Sequence, residues 1–259
     1  MAFNDNRETV PELSIIGPIG ESDEFGNVNN VAKVAEFLQA NASAPKISVL
    51  ISSAGGNVYD GLAIFEALLR FPGEVHTYGT GIVASAASII FLAGSTRELS
   101  SNCDLMIHQC SMTIEGGRES DLRRYAEVAA TANRKMRDII SQRTGQPIKV
   151  VESWMAEEKW FNAHDSKSFG FSTIVSGSVE ARASFNLSRF KNVPAAVQRR
   201  NSVKTLAHAA QVQAIQSDRA RQRKGVAASM TTAQKVKAFG QPKSLADLYK
   251  IGRGEKLAT

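Results

Sequence analysis

Apolar residues along this chain alternate between short continuous runs and stretches with helical spacing. Leu13–Ile16 is a brief apolar run, predicted as a strand and closed by the turn signal Gly17-Pro18-Ile19-Gly20. Over Val28–Ala40, the residues Val31, Val34, Ala35, Phe37 and Leu38 fall near helical spacing. Lys46–Ile51 reads as a buried strand that runs into Ser52-Ser53-Ala54-Gly55-Gly56, where a tight turn is expected. Tyr59–Phe71 is an amphipathic helix carrying Leu62, Ile64, Phe65, Leu68 and Leu69, stopped by Pro72-Gly73. Val75–Tyr78 is the next strand, Ser85–Ala93 an apolar helix ended by Gly94, and Leu105–His108 a further short strand. Strand and helix in this alternation imply an α/β domain with crossover connections.

The longest predicted helix is Asp121–Arg143. Leu122, Tyr125, Ala126, Ala129, Ala132, Met136, Ile139 and Ile140 trace one stripe, and Arg123, Arg124, Arg134, Lys135 and Arg137 occupy the other face. Thr144-Gly145-Gln146-Pro147 ends it. A second helical pattern, Ile148–Met155, is followed by Trp160-Phe161 and a short helical stretch to Phe169, with Gly170 as its cap. After about residue 180 the periodicity fades. Lys204–Ser217 fits a polar helix, and 218–225 is a charge run.

Charge divides the chain the same way. Residues 1–179 carry a net −6 and residues 180–259 a net +12. The expectation is a folded acidic domain over 1–179 and a basic, flexible C-terminal extension over 180–259, of a composition that stays disordered or folds on a partner. Nucleic acid or an acidic protein would suit such a tail, with strongly salt-dependent binding.

Composition excludes several classes. Hydrophobic residues make up 43% of the chain, enough for a sizeable core. The two cysteines, Cys103 and Cys110, cannot build a disulfide framework or a four-thiolate zinc site, and are expected to stay reduced in a cytoplasmic compartment. The first residues lack an apolar signal core, and the longest apolar run, Gly81–Gly94, is too short and too rich in Ser and Ala to span a bilayer. A soluble intracellular protein is expected. No nucleotide-binding G-x-x-x-x-G-K-[ST] motif is present.

The candidate chemistry centres on Ser85, in the small-residue run Gly81-Ile-Val-Ala-Ser85-Ala-Ala-Ser88. A serine needs a base to become a nucleophile. The chain has four histidines, His76, His108, His164 and His208, and His108 ends an apolar strand shortly downstream. Amides at the start of the helix after Ser85, Ala86 among them, are free to stabilise an oxyanion. From the local run alone, a small-residue packing site explains Ser85 equally well. Ser88 is the competing serine, one helical turn inside and better suited to packing. Gly55-Gly56 would let backbone approach a ligand closely, either as an oxyanion donor and docking edge for an extended peptide or as an ordinary turn. A third group must orient the histidine, and Asp104, Asp121, Glu152, Glu157, Glu158 and Asp165 all remain open.

In order, Ser53-Ala54-Gly55-Gly56, Gly81-Ile-Val-Ala-Ser85, Met106-Ile-His108-Gln-Cys110, Thr144-Gly145-Gln146 and Trp160-Phe-Asn-Ala163 resemble the motifs of the Clp protease proteolytic subunit family, serine peptidases of the crotonase-like α/β fold. The resemblance spans about residues 12–176. It implies Ser85 as nucleophile, His108 as general base, Gly56 and Ala86 as oxyanion-hole donors, and Gly55-Gly56 as a substrate-binding edge facing the Arg118–Asp121 region. The family's aspartate falls at Glu158, with Glu157 and Asp165 as rivals. Ala54 and Cys110 stand where the family has proline.

The resemblance further implies peptide-bond hydrolysis without metal or organic cofactor. It also implies a long handle-type helix at Asp121–Arg143, and a homo-oligomeric ring, heptameric and single or doubled, fed by an ATPase unfoldase. The basic tail departs from the housekeeping subunits and is similar to phage head-maturation (prohead) proteases, whose partners would be capsid or scaffold proteins. Two other functions fit the fold: a non-catalytic ring-forming scaffold with a partner-binding tail, and an acyl-CoA enzyme, which the Ser85/His108 pair argues against.

Overall fold

The computed structural model describes residues 10–22, 28–114, 116–178 and 185–201. All of these belong to one compact unit, Met1–Ser202. The predicted polar helix at 204–217, the charge run at 218–225 and the rest of the basic tail lie outside the described residues.

One sheet organises the unit. In chain order the elements are β1 (Glu12–Ile16), α1 (Val31–Ala40), β2 (Lys46–Ser53), α2 (Val58–Leu69), β3 (Glu74–Ala84), α3 (Ala86–Phe91), β4 (Thr96–Ser100), β5 (Asp104–Ile107), α4 (Glu119–Thr144), α5 (Ile148–Ala156), β6 (Lys159–Asn162), α6 (Ala163–Ser168) and β7 (Ile174–Ser176). The strands run parallel in the order β1-β2-β3-β4-β7, with β5 added to β3 and β6 antiparallel to β5. Parallel neighbours need crossovers, which α1, α2 and α3 supply. They pack on one another as a layer.

β3 is longer than its apolar run predicts, because Gly79-Thr80-Gly81 lies inside the strand instead of ending it. Its first half pairs β4 through Gly79, and its second half, Ile82–Ala84, pairs β5. Gly81 stands at the change of partner with φ +67°, a left-handed conformation that favours glycine. The switch carries the end of β3 away from β4 and lays it beside β5, so the residues after both strands emerge together.

The sheet is covered on both faces. Side chains alternate along a strand, and accordingly Val83, Leu105 and Ile107 join the helix-side core while Ile82, Ala84 and Met106 join a second cluster. That second cluster is completed by Leu187, Phe190 and Val197. The sequence places the start of a flexible extension at 180, yet residues 185–201 of it pack here against the far face of the sheet. A helical stretch at 195–201 carries Val197 into the cluster.

α4 has 26 residues, but its buried stripe is only Ala132, Met136 and Ile140. Leu122, in the predicted stripe, is exposed. The helix ends at Gly145 in the left-handed conformation, φ +76°. Arg143 from its last turn donates to the carbonyls of Leu92 (2.7 Å) and Gly94 (2.6 Å), tying α4 to the end of α3. Among the described residues, no helix is long and apolar enough to cross a membrane.

Candidate active site

Ser85 sits in the single-residue turn between β3 and α3. Its backbone is left-handed, φ 59° and ψ −126°, which is rare for a residue with a side chain. The turn is held from below: the Ser85 amide donates to the Met106 carbonyl of β5 at 2.9 Å. Ser88, the competing serine, is fully buried and donates to the carbonyls of Val83 (2.9 Å) and Met106 (2.7 Å), so it fastens the same turn and takes no part in the cleft.

His108 follows the last residue of β5, and the β3–β5 pairing brings it to Ser85. Ser85 Oγ and His108 Nε2 are 2.8 Å apart, within hydrogen-bond range. Both residues are half-buried. Burial, the strongest influence, pulls the His108 pKa below its ordinary value; the Glu158 charge pushes it back up and Arg189 adds to the fall. The shift favours the neutral imidazole, the form able to accept a proton.

The glycine pair packs directly against the serine. A Cβ on Gly55 would lie 2.6 Å from the Ser85 Cβ and 2.7 Å from the Ala84 carbonyl oxygen, and Gly55 has φ +92°. Only glycine fits there. The loop is anchored on its other side, where the Ile19 amide donates to the Gly55 carbonyl (3.1 Å) and the Asn57 amide to the Ile19 carbonyl (2.8 Å). The amides of Gly56 and Ala86, the expected oxyanion donors, meet no acceptor among the described residues.

Glu158 comes near His108 through the pairing of β5 with β6. β5 and β6 are antiparallel and their last pair is Ile107 with Lys159, which places His108 and Glu158 at the same end of the ladder. Glu158 has φ 54° and breaks from the strand there. No hydrogen bond joins it to His108 among the described residues. Instead its Oε1 accepts from the amides of Lys191 (2.6 Å) and Asn192 (2.8 Å). The other candidate acids are engaged elsewhere. Glu157 accepts from Ser153 Oγ at 2.7 Å, Asp165 caps α6 with Asn162, and Asp121 caps α4. Glu152 pairs with Arg137 and Asp104 with Arg200.

An open cleft of about 500 Å³ runs past the pair, lined by Gly56, Ser85, His108, Ser111, Met112 and Arg189. Residues 110–113, after β5, also line it. Arg118 and Asp121, expected there, do not line the cleft; the Arg118 amide instead donates to Asp121 Oδ2 (3.1 Å) at the start of α4. Among the described residues, no group of three His, Cys, Asp or Glu side chains is placed to hold a metal ion.

Residues 189–192 were not legible as part of the site. Phe190 meets the His108 ring edge to face, with centroids 5.6 Å apart, and Arg189 donates to the Ala54 carbonyl beside the glycine loop. The only signal in the sequence is the spaced apolar set Leu187, Phe190, Val193 and Val197 amid polar and basic residues.

A family model described as Clp protease matches residues 14–178. The chain belongs to the Clp protease family. One relative, the ATP-dependent Clp protease proteolytic subunit 1 of Frankia casuarinae, is 33% identical over 177 residues, covering 66% of this chain and 80% of the relative. The subunit of the same name from Corynebacterium jeikeium is 33% identical over 141 residues, covering 53% of this chain and 74% of the relative. A solved structure of a ClpP1 mutant from Listeria monocytogenes is similar in fold, with TM-score 0.55 at 23% identity over 64% of this chain and 91% of that one. The Clp-protease α/β fold implied by the sequence motifs is thus the fold of this chain, and its membership makes it a peptidase of the Clp type.

Proposed function

We propose that this Clp-family chain is a serine endopeptidase in which Ser85 is the nucleophile, His108 the general base and Glu158 the acid. The observation that carries it is the 2.8 Å Ser85–His108 contact, made by a serine in a left-handed turn with Gly55 packed against it. A polypeptide would lie extended in the cleft along Gly55-Gly56, adding backbone hydrogen bonds to the exposed edge. His108 removes the Ser85 hydroxyl proton as Oγ attacks the scissile carbonyl. The amides of Gly56 and Ala86 stabilise the oxyanion; one such donor is worth about 10²–10³ in rate. The carbon–nitrogen bond then breaks, with His108 giving its proton to the leaving amine. Water, activated by the same imidazole, hydrolyses the acyl-enzyme. Glu158 stabilises the imidazolium through its charge.

A homo-oligomeric ring served by an ATPase belongs to the same proposal, on the strength of relatives named ATP-dependent proteolytic subunits. The test is a fluorophosphonate probe applied to the full chain, with Ser85→Ala and His108→Ala beside it and the assembly sized in parallel. Labelling of the parent that disappears in Ser85→Ala supports the assignment. Labelling that survives Ser85→Ala removes Ser85 as the nucleophile.

A further inference from the structure

The family match ends at residue 178, yet residues 185–201 reach the catalytic side chains. Phe190 is buried, packs edge to face on the His108 ring and also meets Trp160 of β6 at 5.9 Å. Two residues on, the chain turns so that the Lys191 and Asn192 amides both donate to Glu158 Oε1. The Asn192 side chain donates from Nδ2 to the Glu157 carbonyl at 2.7 Å, fastening this turn to the backbone that carries Glu158. Glu158 Oε2 accepts no hydrogen bond among the described residues, and the Glu158 charge acts on the His108 ring.

The contacts hold the pair without covering it. The Ser85–His108 contact is intact at 2.8 Å, and both residues still line the open cleft. A segment that blocked the site would occupy that space or separate the pair. The segment is itself held to the sheet by Leu187 and Val197 in the second core cluster and by the Arg200–Asp104 ion pair.

We propose that Phe190 and Asn192 are positioning residues of the catalytic centre: Phe190 fixes the His108 ring, and Asn192, with the Lys191 amide, fixes the Glu158 carboxylate. The peptidase body of this chain therefore extends past the family match and is catalytically incomplete without 185–201. The proposal rests on the Ser85–His108–Glu158 reading above. A floppy imidazole or carboxylate misplaces the proton path, and misplacement by about 1 Å is enough to cost about 100-fold in rate.

The test uses the full chain with Phe190→Ala, Phe190→Tyr, Asn192→Ala and Leu187→Ala. Three quantities are read: the rate of Ser85 labelling by a fluorophosphonate, the pH profile of kcat/KM on a fluorogenic peptide, and Tm. The titratable groups around His108 are Glu158 at the head of β6, Arg189 on the segment, and Glu21 and Cys110 on the cleft walls. Phe190→Ala is expected to slow labelling about 10- to 100-fold. It should also move the acid limb to higher pH, because water reaching the ring relieves the burial that lowers its pKa. Phe190→Tyr, which keeps the ring, should restore rate and limb. Asn192→Ala should slow labelling while leaving Tm near the parent. Leu187→Ala, in the same cluster but without a ring contact to His108, should lower Tm and leave the limb where it is. Parental rate and limb in both Phe190→Ala and Asn192→Ala overturn the proposal while leaving Ser85 as nucleophile. Faster labelling in Phe190→Ala also overturns it, since the segment would then be a cover. Failure of the folded parent to label overturns the underlying Ser85 reading and this proposal with it.

Discussion

His108 stands just after β5 and Glu158 just before β6, and the Glu158 charge raises the His108 pKa against the pull of burial. The β5–β6 pairing brings the two chain segments together, while the amides of Lys191 and Asn192 settle where one carboxylate oxygen points. A glutamate has one more methylene than the family's aspartate. The two amide bonds restrain that extra freedom.

Glu158→Gln should separate charge from shape. The glutamine carbonyl can still accept from both amides, so the 191–192 turn stays in place. The charge that supports the imidazolium is lost. With the proposed triad, kcat should fall about 10⁴-fold, the loss expected when a triad acid is neutralised. Because Glu158 raises the His108 pKa, the acid limb of kcat/KM should also move to lower pH. Steady-state kinetics on a fluorogenic peptide measure both. An unchanged kcat would assign the acid elsewhere.

The parent enzyme's pH dependence follows from the burial of His108. A general base works only when unprotonated. Desolvation, the largest influence, lowers its pKa from the ordinary imidazole value of about 6.5. Activity should therefore be level through neutral pH and fall on acidification, with its midpoint below 6.5. A rate–pH profile places the limb, and a midpoint above 6.5 would contradict the desolvated environment of His108.

The parts of the site visible in the sequence are those carried by one local run each. Gly55-Gly56 ends β2, Ser85 ends β3 and His108 ends β5, so strand ends and small residues mark them. The unassigned elements are those that depend on distant chain. β4, Thr96–Ser100, contains Arg97 and Glu98 and looks polar, but Arg97 donates to the Phe171 and Gly170 carbonyls from far along the chain. β6 and β7 are only four and three residues long. The choice of Glu158 among six acids likewise rests on the family resemblance, since only the pairing of β5 with the distant β6 brings its segment near His108. Leu187, Phe190 and Val197 are too widely spaced among basic residues to announce a packed segment.

Gly55→Ala tests the close approach of the glycine loop. The new methyl would lie 2.6 Å from the Ser85 Cβ, on a backbone with φ +92°. The left-handed conformation alone costs about 1–2 kcal/mol for a residue with a Cβ. The clash falls on backbone and on the nucleophile itself, with no flexible side chain to yield. Tm should drop by about 2–8 °C, and labelling of Ser85 should be lost beyond what stability explains. Thermal melts and probe labelling well below Tm separate the two effects.

Arg200→Ala tests how the C-terminal segment is fastened. Asp104 is 8% exposed, and Arg200 is its ion-pair partner. Burial, the largest influence, raises the Asp104 pKa, and Arg200 opposes that rise through its charge and its hydrogen bond. Without Arg200, a buried carboxylate is left uncompensated at neutral pH, a loss of about 1–3 kcal/mol. Protonation removes the unpaired charge, so the gap in stability between parent and variant should narrow as pH falls and Asp104 takes up a proton. Because Arg200 closes the segment that carries Phe190 and Asn192, the variant should also expose 185–201 to limited proteolysis sooner than the parent. It should lose peptidase activity in step with that cleavage. Denaturant melts at neutral and acidic pH, with proteolysis followed by mass, measure both. A stability gap that widens on acidification would show that Asp104 is not the group Arg200 compensates.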